Sequence, residues 1–374
     1  MPKEIKDQIH TEKVGSAIYQ LFDLASKEKS FIMLILGFTF LCAVVTPYPE
    51  IAMWVGFGLA GYSAIANDSI QTLGTFIASN SNRKWYVLWL YIGIIFVATV
   101  FYSWYMYNGD VSNQRLFTKG LEKAPESFVF LQLAAPVILL VLTRLRMPVS
   151  TTFLLLNAFT YKAGTIIKIV QKSMVGYMLS LSIGIVAWII VSKLFSKFAK
   201  GKPGKFWMPL QWITSGTLWA VWIVQDAANI AIYLPRSLSV PQFIGFAGFI
   251  FFGLGLLFYL KGDKIQDIVN EKSGVKDVRA ATVIDLVYAL ILFYFSKVST
   301  VPMSTTWVFI GLLAGREIAI GLTKERAKRR QDTVVKAFKL MGKDLGKAML
   351  GLLISLLLAL AINQGVREEF INLF

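Results

Sequence analysis

Two aspartates stand in apolar stretches of the sequence, and each is bracketed by amides. Segment 67–71 reads Asn-Asp-Ser-Ile-Gln and follows the uncharged stretch 51–66, while segment 225–229 reads Gln-Asp-Ala-Ala-Asn. Because a charge in apolar surroundings is costly, an aspartate there indicates a bound partner. Carboxylate and amide oxygens without an adjacent Lys or Arg are typical ligands of a hard cation such as Na⁺. The predicted cation ligands are Asn67, Asp68, Gln71, Gln225, Asp226 and Asn229.

A second motif, Pro-x-Ser-Thr-Thr, occurs at 148–152 and again at 302–306. Proline favours the start of a helix, and Ser or Thr can cap it. A helix start of this kind offers free backbone N–H groups and a positive dipole end, which favour an anion. The alternative is ordinary interhelical packing by small hydroxylic residues. The predicted anion ligands are Ser150, Thr151, Thr152, Ser304, Thr305 and Thr306, together with Asp68 and Asp226.

Both motifs recur in the same order, 158 and 154 residues apart, which indicates an internal duplication. We expect a polar, amphipathic tail over 1–30 and a first repeat, with an extra N-terminal helix, over 31–196. A basic linker over 197–208 and a second repeat over 209–374 follow. Three other intramembrane polar residues, Gln132, Asn157 and Asp285, have no counterpart in the other half.

The elements that must hold these motifs are membrane-spanning helices. Of the 374 residues, 56% are hydrophobic and only 16% are charged, against about 25% charged in a typical soluble domain. The apolar residues cluster in runs of roughly 18–24, which is the length of a transmembrane helix. We therefore predict an all-α polytopic membrane protein with about 10–12 transmembrane segments. Each repeat is expected to contain a broken helix at the aspartate and a helical hairpin at Pro-x-Ser-Thr-Thr. The helix break would let the amides at −1 and +3 reach one site.

Scarce residues exclude several classes of function. The only His is His10 and the only Cys is Cys42, so no disulfide framework, zinc site or Cys–His nucleophile can be built. An enzyme needs a nucleophile with an activating base, and neither aspartate motif has a His, Lys or Cys nearby, so we expect no enzyme activity and no cofactor. The net charge of +16 is attributed to basic cytoplasmic loops rather than to nucleic-acid binding. A helix cap at either aspartate is a further alternative, but a cap at membrane depth still requires a broken helix beside something polar.

The positions of the basic residues predict the orientation. If the second repeat is inverted relative to the first and the N-terminus is cytoplasmic, 27 of the 38 Lys and Arg residues fall inside and nine outside. Lys193 and Arg316 are not assigned to either side. This bias fits the positive-inside rule and puts the C-terminus outside. If Pro-x-Ser-Thr-Thr were a purely re-entrant loop, both halves would have the same orientation, which fits less well.

At these motifs the sequence resembles the inorganic phosphate transporter (PiT) family of sodium- or proton-coupled permeases. The family carries Gly/Ala-Asn-Asp-x-x-Asn and Pro-Val/Ile-Ser-Thr-Thr-His signatures in each half. The stretch 66–68 matches the first signature, with Gln71 replacing the second Asn, while Gln225 replaces the first Asn of the second copy and Asn229 matches. Both Pro-x-Ser-Thr-Thr motifs are intact, but Phe153 and Trp307 replace the usual His.

The resemblance implies an inverted-repeat fold with two helical hairpins and a central site. In that site the hydroxyls and aspartates would bind phosphate, and Asp68, Asp226 and neighbouring amides would bind Na⁺. We expect Na⁺-coupled import of phosphate across the plasma (inner) membrane, with the lipid bilayer as surroundings and a homodimer as one possible assembly. Alternatives are a sulfate or other oxyanion permease, proton rather than sodium coupling and, less favoured, an anion channel. Sodium is preferred over protons because no buried His can relay a proton.

Overall fold

The computed structural model describes residues 28–118, 120–145, 147–198, 203–260, 277–323 and 327–372. Side chains 69–71, 194–198, 327–331 and 333 are outside this description. The described chain forms twelve α-helices: α1 Lys29–Val45, α2 Pro49–Thr72, α3 Gly74–Ser79, α4 Trp85–Met106, α5 Phe130–Arg144, α6 Ala163–Phe198, α7 Trp207–Ala231, α8 Val240–Tyr259, α9 Val278–Val298, α10 Thr305–Leu322, α11 Ala327–Ile362 and α12 Gln364–Ile371.

The helices follow the apolar runs of the sequence. Within the described residues, six helices are long and apolar enough to cross a membrane: α4, α8, α9, α10 and long portions of α6 and α11. These helices indicate an integral membrane protein, and the described part of the chain contains no β-strand. The run that follows the first Pro-x-Ser-Thr-Thr motif is shorter and irregular. It forms a π-helical turn over Thr152–Leu156 and a 3₁₀ turn over Asn157–Phe159. Most of the predicted N-terminal tail and part of the linker lie outside the described residues.

Both aspartates lie inside continuous helix, which corrects the expected break at these positions. Asp68 is in α2, and the chain is interrupted only at Leu73, after which α3 begins. Asp226 is in α7, which continues to Ala231. Neither aspartate is therefore a helix cap. Because residues three apart share one face of a helix, Asp226 and Asn229 can act together without unwinding.

Helices α6 and α10 run parallel in close contact along small residues. Gly311 lies so near α6 that a Cβ there would be 2.2 Å from Ser180 Oγ and 2.5 Å from the Tyr177 carbonyl oxygen. A Cβ on Gly315 would be 2.3 Å from the Leu181 carbonyl oxygen. Small residues that allow close backbone approach are typical of helix interfaces in membranes. This contact holds the start of α10, and with it the second Pro-x-Ser-Thr-Thr motif, against α6.

Two tryptophan side chains of α4 show the relative direction of α4 and α8. Trp89 Nε1 donates to the Phe251 carbonyl at 2.9 Å, and Trp104 Nε1 donates to the Leu238 carbonyl at 2.8 Å. The end of α4 therefore meets the segment just before α8, while the beginning of α4 meets the middle of α8. These two helices are antiparallel.

Helix α2 is parallel to α8, because Trp54 lies against Gly245 and Ile65 against Gly253. Helix α4 is parallel to α7. Tyr91 Oη donates to the Trp212 carbonyl at 2.7 Å, and Ile95, one turn later, lies against Gly216. It follows that α2 and α7, the two helices that carry the aspartates, run in opposite directions.

Candidate functional site

Four segments from both halves of the chain converge at one buried polar centre, which we call the central site. It is formed by the last two turns of α2, the two Pro-x-Ser-Thr-Thr motifs and the last two turns of α7. The aspartates and motif hydroxyl residues are almost fully buried: Asp68, Ser150, Thr151, Thr152, Asp226, Ser304, Thr305 and Thr306 each have 3% or less of their surface exposed. The structure therefore brings together all eight predicted substrate ligands.

In both motifs the serine caps the turn that follows it. Ser304 is the N-cap of α10, and its Oγ accepts from the Trp307 backbone N–H at 3.2 Å. Ser150 Oγ accepts from the Phe153 backbone N–H at the same distance. The predicted capping is confirmed in both halves. It engages one of the N–H groups at each helix start that lack a partner within the helix.

The last threonines of the two motifs make reciprocal contacts. Thr152 Oγ1 donates to the Met303 carbonyl at 3.1 Å, and Thr306 Oγ1 donates to the Val149 carbonyl at 3.3 Å. Val149 and Met303 occupy the same position in their motifs, as do the two threonines. Each motif therefore binds the backbone of the other through the same pair of positions, and the two helix starts are held side by side.

Asp226 is the most densely hydrogen-bonded carboxylate of the central site. Thr305 Oγ1 donates to Oδ2 at 2.5 Å, and Asn229 Nδ2 donates to Oδ1 at 2.8 Å. Thr152 Oγ1 lies 3.3 Å from Oδ1, and its single hydrogen is shared between this oxygen and the Met303 carbonyl. Asn229 Nδ2 also lies 2.9 Å from Thr151 Oγ1 and 3.2 Å from Thr152 Oγ1. Asp226 and Asn229 thus join α7 to both motifs. The Asn229 Oδ1 atom is buried without a hydrogen-bond partner among the described atoms.

Asp68 has a less complete set of partners. Its Oδ1 accepts from Asn67 Nδ2 at 2.8 Å, and its carboxylate also contacts the Thr151 hydroxyl. Asn67 Nδ2 donates as well to the Val149 carbonyl at 2.9 Å, and its Oδ1 accepts from Thr143 at 3.1 Å. Asp68 Oδ2 is buried without a hydrogen-bond partner among the described side chains. This oxygen, Asn229 Oδ1 and Gln225 Oε1 are buried acceptor atoms on predicted cation ligands that have no partner among the described atoms.

The two remaining predicted cation ligands do not join this cluster in the same way. Gln225 Nε2 donates to the Leu292 carbonyl on α9 at 3.0 Å, while its Oε1 is buried without a hydrogen-bond partner among the described atoms. The Gln71 side chain lies outside the described residues. The −1 amide contacts the aspartate in the first half and the +3 amide does so in the second. Asn67, adjacent to Asp68, and Asn229, one turn after Asp226, are therefore the amides that the structure places with the carboxylates.

A buried arginine near Asp226 was not among the predicted site residues. Arg115 is 2% exposed and lies in the connection between α4 and α5. Its Nε donates to the Val224 carbonyl on α7 at 2.7 Å, and its charge interacts with that of Asp226. Burial lowers the pKa of Arg115 to about 10, while Asp226 acts in the opposite direction. The guanidinium therefore stays charged at neutral pH.

The local backbone positions this arginine. Asp110 accepts from the backbone N–H groups of Ser112 at 2.7 Å and Gln114 at 2.6 Å, which fixes a tight turn. Gln114 adopts the left-handed conformation with φ of 61°, and a single 3₁₀ turn begins at Arg115. Charge counting along the chain treats Arg115 as an ordinary outer-loop cation, because nothing in its neighbouring residue types signals burial.

A solved structure titled "The sodium-dependent phosphate transporter" superposes on this chain with a TM-score of 0.52. The match covers 83% of this chain and 99% of that chain at 19% sequence identity. This chain shares the helical fold of that structure. At this identity the similarity concerns the fold, and the structural neighbour is a transporter rather than an enzyme. No protein-family model and no curated protein matches the sequence.

Proposed function

We propose that this protein is a secondary transporter that imports inorganic phosphate together with Na⁺. The observation that carries the proposal is the convergence, in one buried centre, of two hydroxyl-rich helix starts and two carboxylates. Helix starts favour an oxyanion and carboxylates favour a cation, so the central site combines the ligand chemistry of both. The likeness to a sodium-dependent phosphate transporter supports the same assignment.

The charges of the central site argue for coupled binding. Asp68 and Asp226 interact electrostatically with each other, and Arg115 is the cation that acts on Asp226. With both carboxylates ionised these three groups sum to −1, which repels a phosphate dianion. Bound cations at Asp68 Oδ2 and near Asn229 Oδ1 would remove this repulsion. Each ligand would then raise the affinity for the other, as reciprocal coupling requires.

The two halves are proposed to be inverted repeats, with the N-terminus cytoplasmic and the C-terminus outside. In support, helices at matching positions run in opposite directions, α2 against α7 and α4 against α8. The reciprocal contacts of Thr152 and Thr306 are those expected of two motifs related by an approximate two-fold axis. Inverted repeats around a midplane site are a recurring design of secondary transporters.

The contacts between the halves form a closed arrangement around Asp226. Thr152 of the first half hydrogen bonds to Met303 and Asp226 of the second, and Asn229 hydrogen bonds to Thr151. For an anion to reach both sets of hydroxyls, these bonds must be exchanged for bonds to the substrate. We propose that the two motif segments separate from each other in alternation, opening the central site to one side of the membrane and then to the other.

Phosphate is favoured over sulfate by the acceptors in the site. Hydrogen phosphate carries an O–H group that a carboxylate oxygen can accept, whereas sulfate is free of protons near neutral pH. Asp68 Oδ2 is buried and has no donor among the described side chains, and a carboxylate oxygen has two lone pairs, so it can accept that group and also contact a cation. Sulfate transport with the same fold remains the second candidate.

Uptake into proteoliposomes tests the proposal. The purified full-length protein is reconstituted, and radiolabelled phosphate or sulfate is added with or without an inward Na⁺ gradient. We expect Na⁺-driven accumulation of phosphate and little of sulfate. Sulfate-only uptake contradicts the choice of anion. Uptake that ignores Na⁺ but follows a pH gradient contradicts the choice of cation, and equilibration without accumulation contradicts secondary transport.

A further inference from the structure

Asp285 is a third carboxylate buried among the membrane helices, and the central site does not use it. It lies in the first half of α9 and is 1% exposed. Thr75 Oγ1, at the start of α3, donates to its Oδ1 at 2.6 Å, and Ser215 Oγ on α7 donates to its Oδ2 at 2.5 Å. An ionisable group held in the apolar layer of a membrane is costly and indicates function.

The carboxylate is the end of a chain of side-chain hydrogen bonds. Trp212 Nε1 donates to Asn80 Oδ1 at 2.8 Å, and Asn80 Nδ2 donates to Gln211 Oε1 at 3.0 Å. Gln211 Nε2 in turn donates to Ser215 Oγ at 2.9 Å, and Ser215 donates to Asp285. Every donor in this row points toward the carboxylate. Such a row lowers the cost of a negative charge without supplying a positive one.

The described hydrogen-bond partners of Asp285 are both neutral, and the basic residues of the helices packed around it have other partners. On α7 and α3 the groups that face it are the neutral Ser215 and Thr75. On α6, Lys172 donates to the carbonyl of Ser299 at 3.0 Å, and Ser299 lies just beyond the end of α9 that is far from Asp285. On α10, Arg316 pairs with Glu317 at 3.0 Å and lies over Trp188. On α9 itself, Arg279 lies in the first turn and pairs with Asp277 at 2.6 Å. Tyr288, one turn after Asp285, donates to the Thr305 carbonyl.

We propose that Asp285 is a proton-binding site of the transporter, separate from the central site. The proton adds to a carboxylate oxygen, and the new O–H donates to Thr75 Oγ1 or Ser215 Oγ, whose own hydroxyl hydrogen turns to another acceptor. Distances of 2.5 and 2.6 Å suit an O–H···O bond in either charge state. The proton fits better than Na⁺ because both hydroxyls lie directly against the carboxylate, with no oxygen cage of the size that a metal ion needs among the described residues.

The site is connected to the transport machinery through α9 and α7. Tyr288, one turn beyond Asp285, binds the backbone of Thr305, whose hydroxyl binds Asp226. Gln225, adjacent to Asp226, binds the α9 backbone at Leu292. Protonation removes a buried charge at the α7–α9 interface and so changes the relative stability of arrangements in which these helices pack differently. This role in transport rests on the proposed function, whereas proton binding itself does not.

Infrared difference spectroscopy between acid and alkaline pH tests proton binding on the purified full-length protein in lipid, without phosphate. We expect a protonated-carboxyl band that disappears on alkalinisation, is lost in Asp285→Asn and is kept in the exposed matched control Asp277→Asn. The double variant Thr75→Val/Ser215→Ala keeps the carboxylate and loses its donors. This variant should raise the pH at which half of the band is lost by at least about one unit, which is a ten-fold change in proton affinity.

Three outcomes overturn the proposal. The first is a spectrum that is unchanged in Asp285→Asn, and the second is a double variant with an unshifted midpoint. The third is removal of the band by Na⁺ at constant pH, which would make this a sodium site. A transport assay then separates proton binding at Asp285 from the proposed Na⁺-driven import of phosphate. Asp285→Asn should retain Na⁺-driven phosphate uptake while losing at least half of its pH dependence. If no variant or wild-type protein takes up phosphate, the infrared result still decides whether Asp285 binds a proton.

Discussion

Phe153 and Trp307, which occupy the same position in the two Pro-x-Ser-Thr-Thr motifs, pack against each other edge to face. Their ring centroids are 5.3 Å apart and the ring planes are at 82°. Both side chains are 1% exposed. These are the two positions at which the sequence departs from the histidine of the resembled family. An aromatic pair therefore joins the two motif segments at the residue that follows the last threonine of each motif.

We predict that Phe153→Ala lowers the stability of the protein. The substitution removes the edge-to-face contact and leaves a cavity between the motifs, which costs about 3–5 kcal/mol when a buried Phe is truncated. The melting temperature of the purified protein in detergent measures the effect. The control is Phe252→Ala on α8, because Phe252 is 68% exposed. Equal melting temperatures for the two variants would contradict a structural role for the aromatic pair.

We predict that Gly311→Ala disrupts the contact between α6 and α10. The added methyl would be 2.2 Å from Ser180 Oγ and 2.5 Å from a backbone oxygen that cannot rotate away. Overpacking of this kind typically costs about 1–3 kcal/mol. Gly248→Ala on α8 is the matched control, since a Cβ there has nothing within 4 Å. Thermal denaturation should show a lower melting temperature for the α10 variant and an unchanged or higher one for the α8 variant.

The fold followed from the sequence wherever the pattern was long. Of the predicted 10–12 spans, six are matched by described helices that are long and apolar enough to cross a membrane, because the bilayer sets one length and one type of element. The irregular segment after Thr151 was harder to predict. Its shape depends on contacts with distant residues, such as Asn157 with Ser355 on α11. Local patterns do not contain such contacts.

The central site was predicted in composition and only partly in geometry. The internal duplication pointed to both aspartates and all six hydroxyl residues, because a polar motif that recurs in two apolar runs must find its partners inside the membrane. It did not show that the Gln225 amide nitrogen donates to the α9 backbone, because the sequence alone does not reveal which helix packs beside that position. Arg115 was missed because its burial depends on a loop folding inward, and residue type gives no sign of that.

We predict that Thr305→Val strongly reduces phosphate uptake. The hydroxyl donates to Asp226 Oδ2 at 2.5 Å, and valine has nearly the same shape but cannot donate. Loss of one donor to a buried charged group costs about 1.5–3 kcal/mol, or roughly ten-fold to more than one hundred-fold in apparent affinity. Thr305→Ser should retain most of the activity. Thr217→Val, at an exposed position of α7, controls for loss of a helix hydroxyl. Wild-type uptake in Thr305→Val would contradict the site.

We predict that Na⁺ stabilises the protein through the two carboxylates of the central site. A ligand that binds only the folded state stabilises it by about 2.7 kcal/mol at one hundred times its dissociation constant. Melting temperatures are measured while Na⁺ replaces choline at constant ionic strength. The wild-type value should rise with Na⁺, and Asp68→Asn and Asp226→Asn should each lose most of the increase. Asp277→Asn should keep it. An increase that survives in both site variants would mean that Na⁺ binds elsewhere.

We predict that Arg115 and Asp226 are energetically coupled. The Arg115 guanidinium hydrogen bonds to backbone carbonyls, and its charge acts on Asp226 within the buried centre, so removing either charge leaves the other less compensated. Arg115→Gln should therefore lower the melting temperature more than Arg83→Gln, which removes an exposed arginine. The double variant Arg115→Gln/Asp226→Asn should recover much of this loss, since neither charge remains. A double-mutant cycle on the free energy of unfolding measures the coupling. Strictly additive effects would show that Arg115 acts through its bond to the Val224 carbonyl and not through its charge on Asp226.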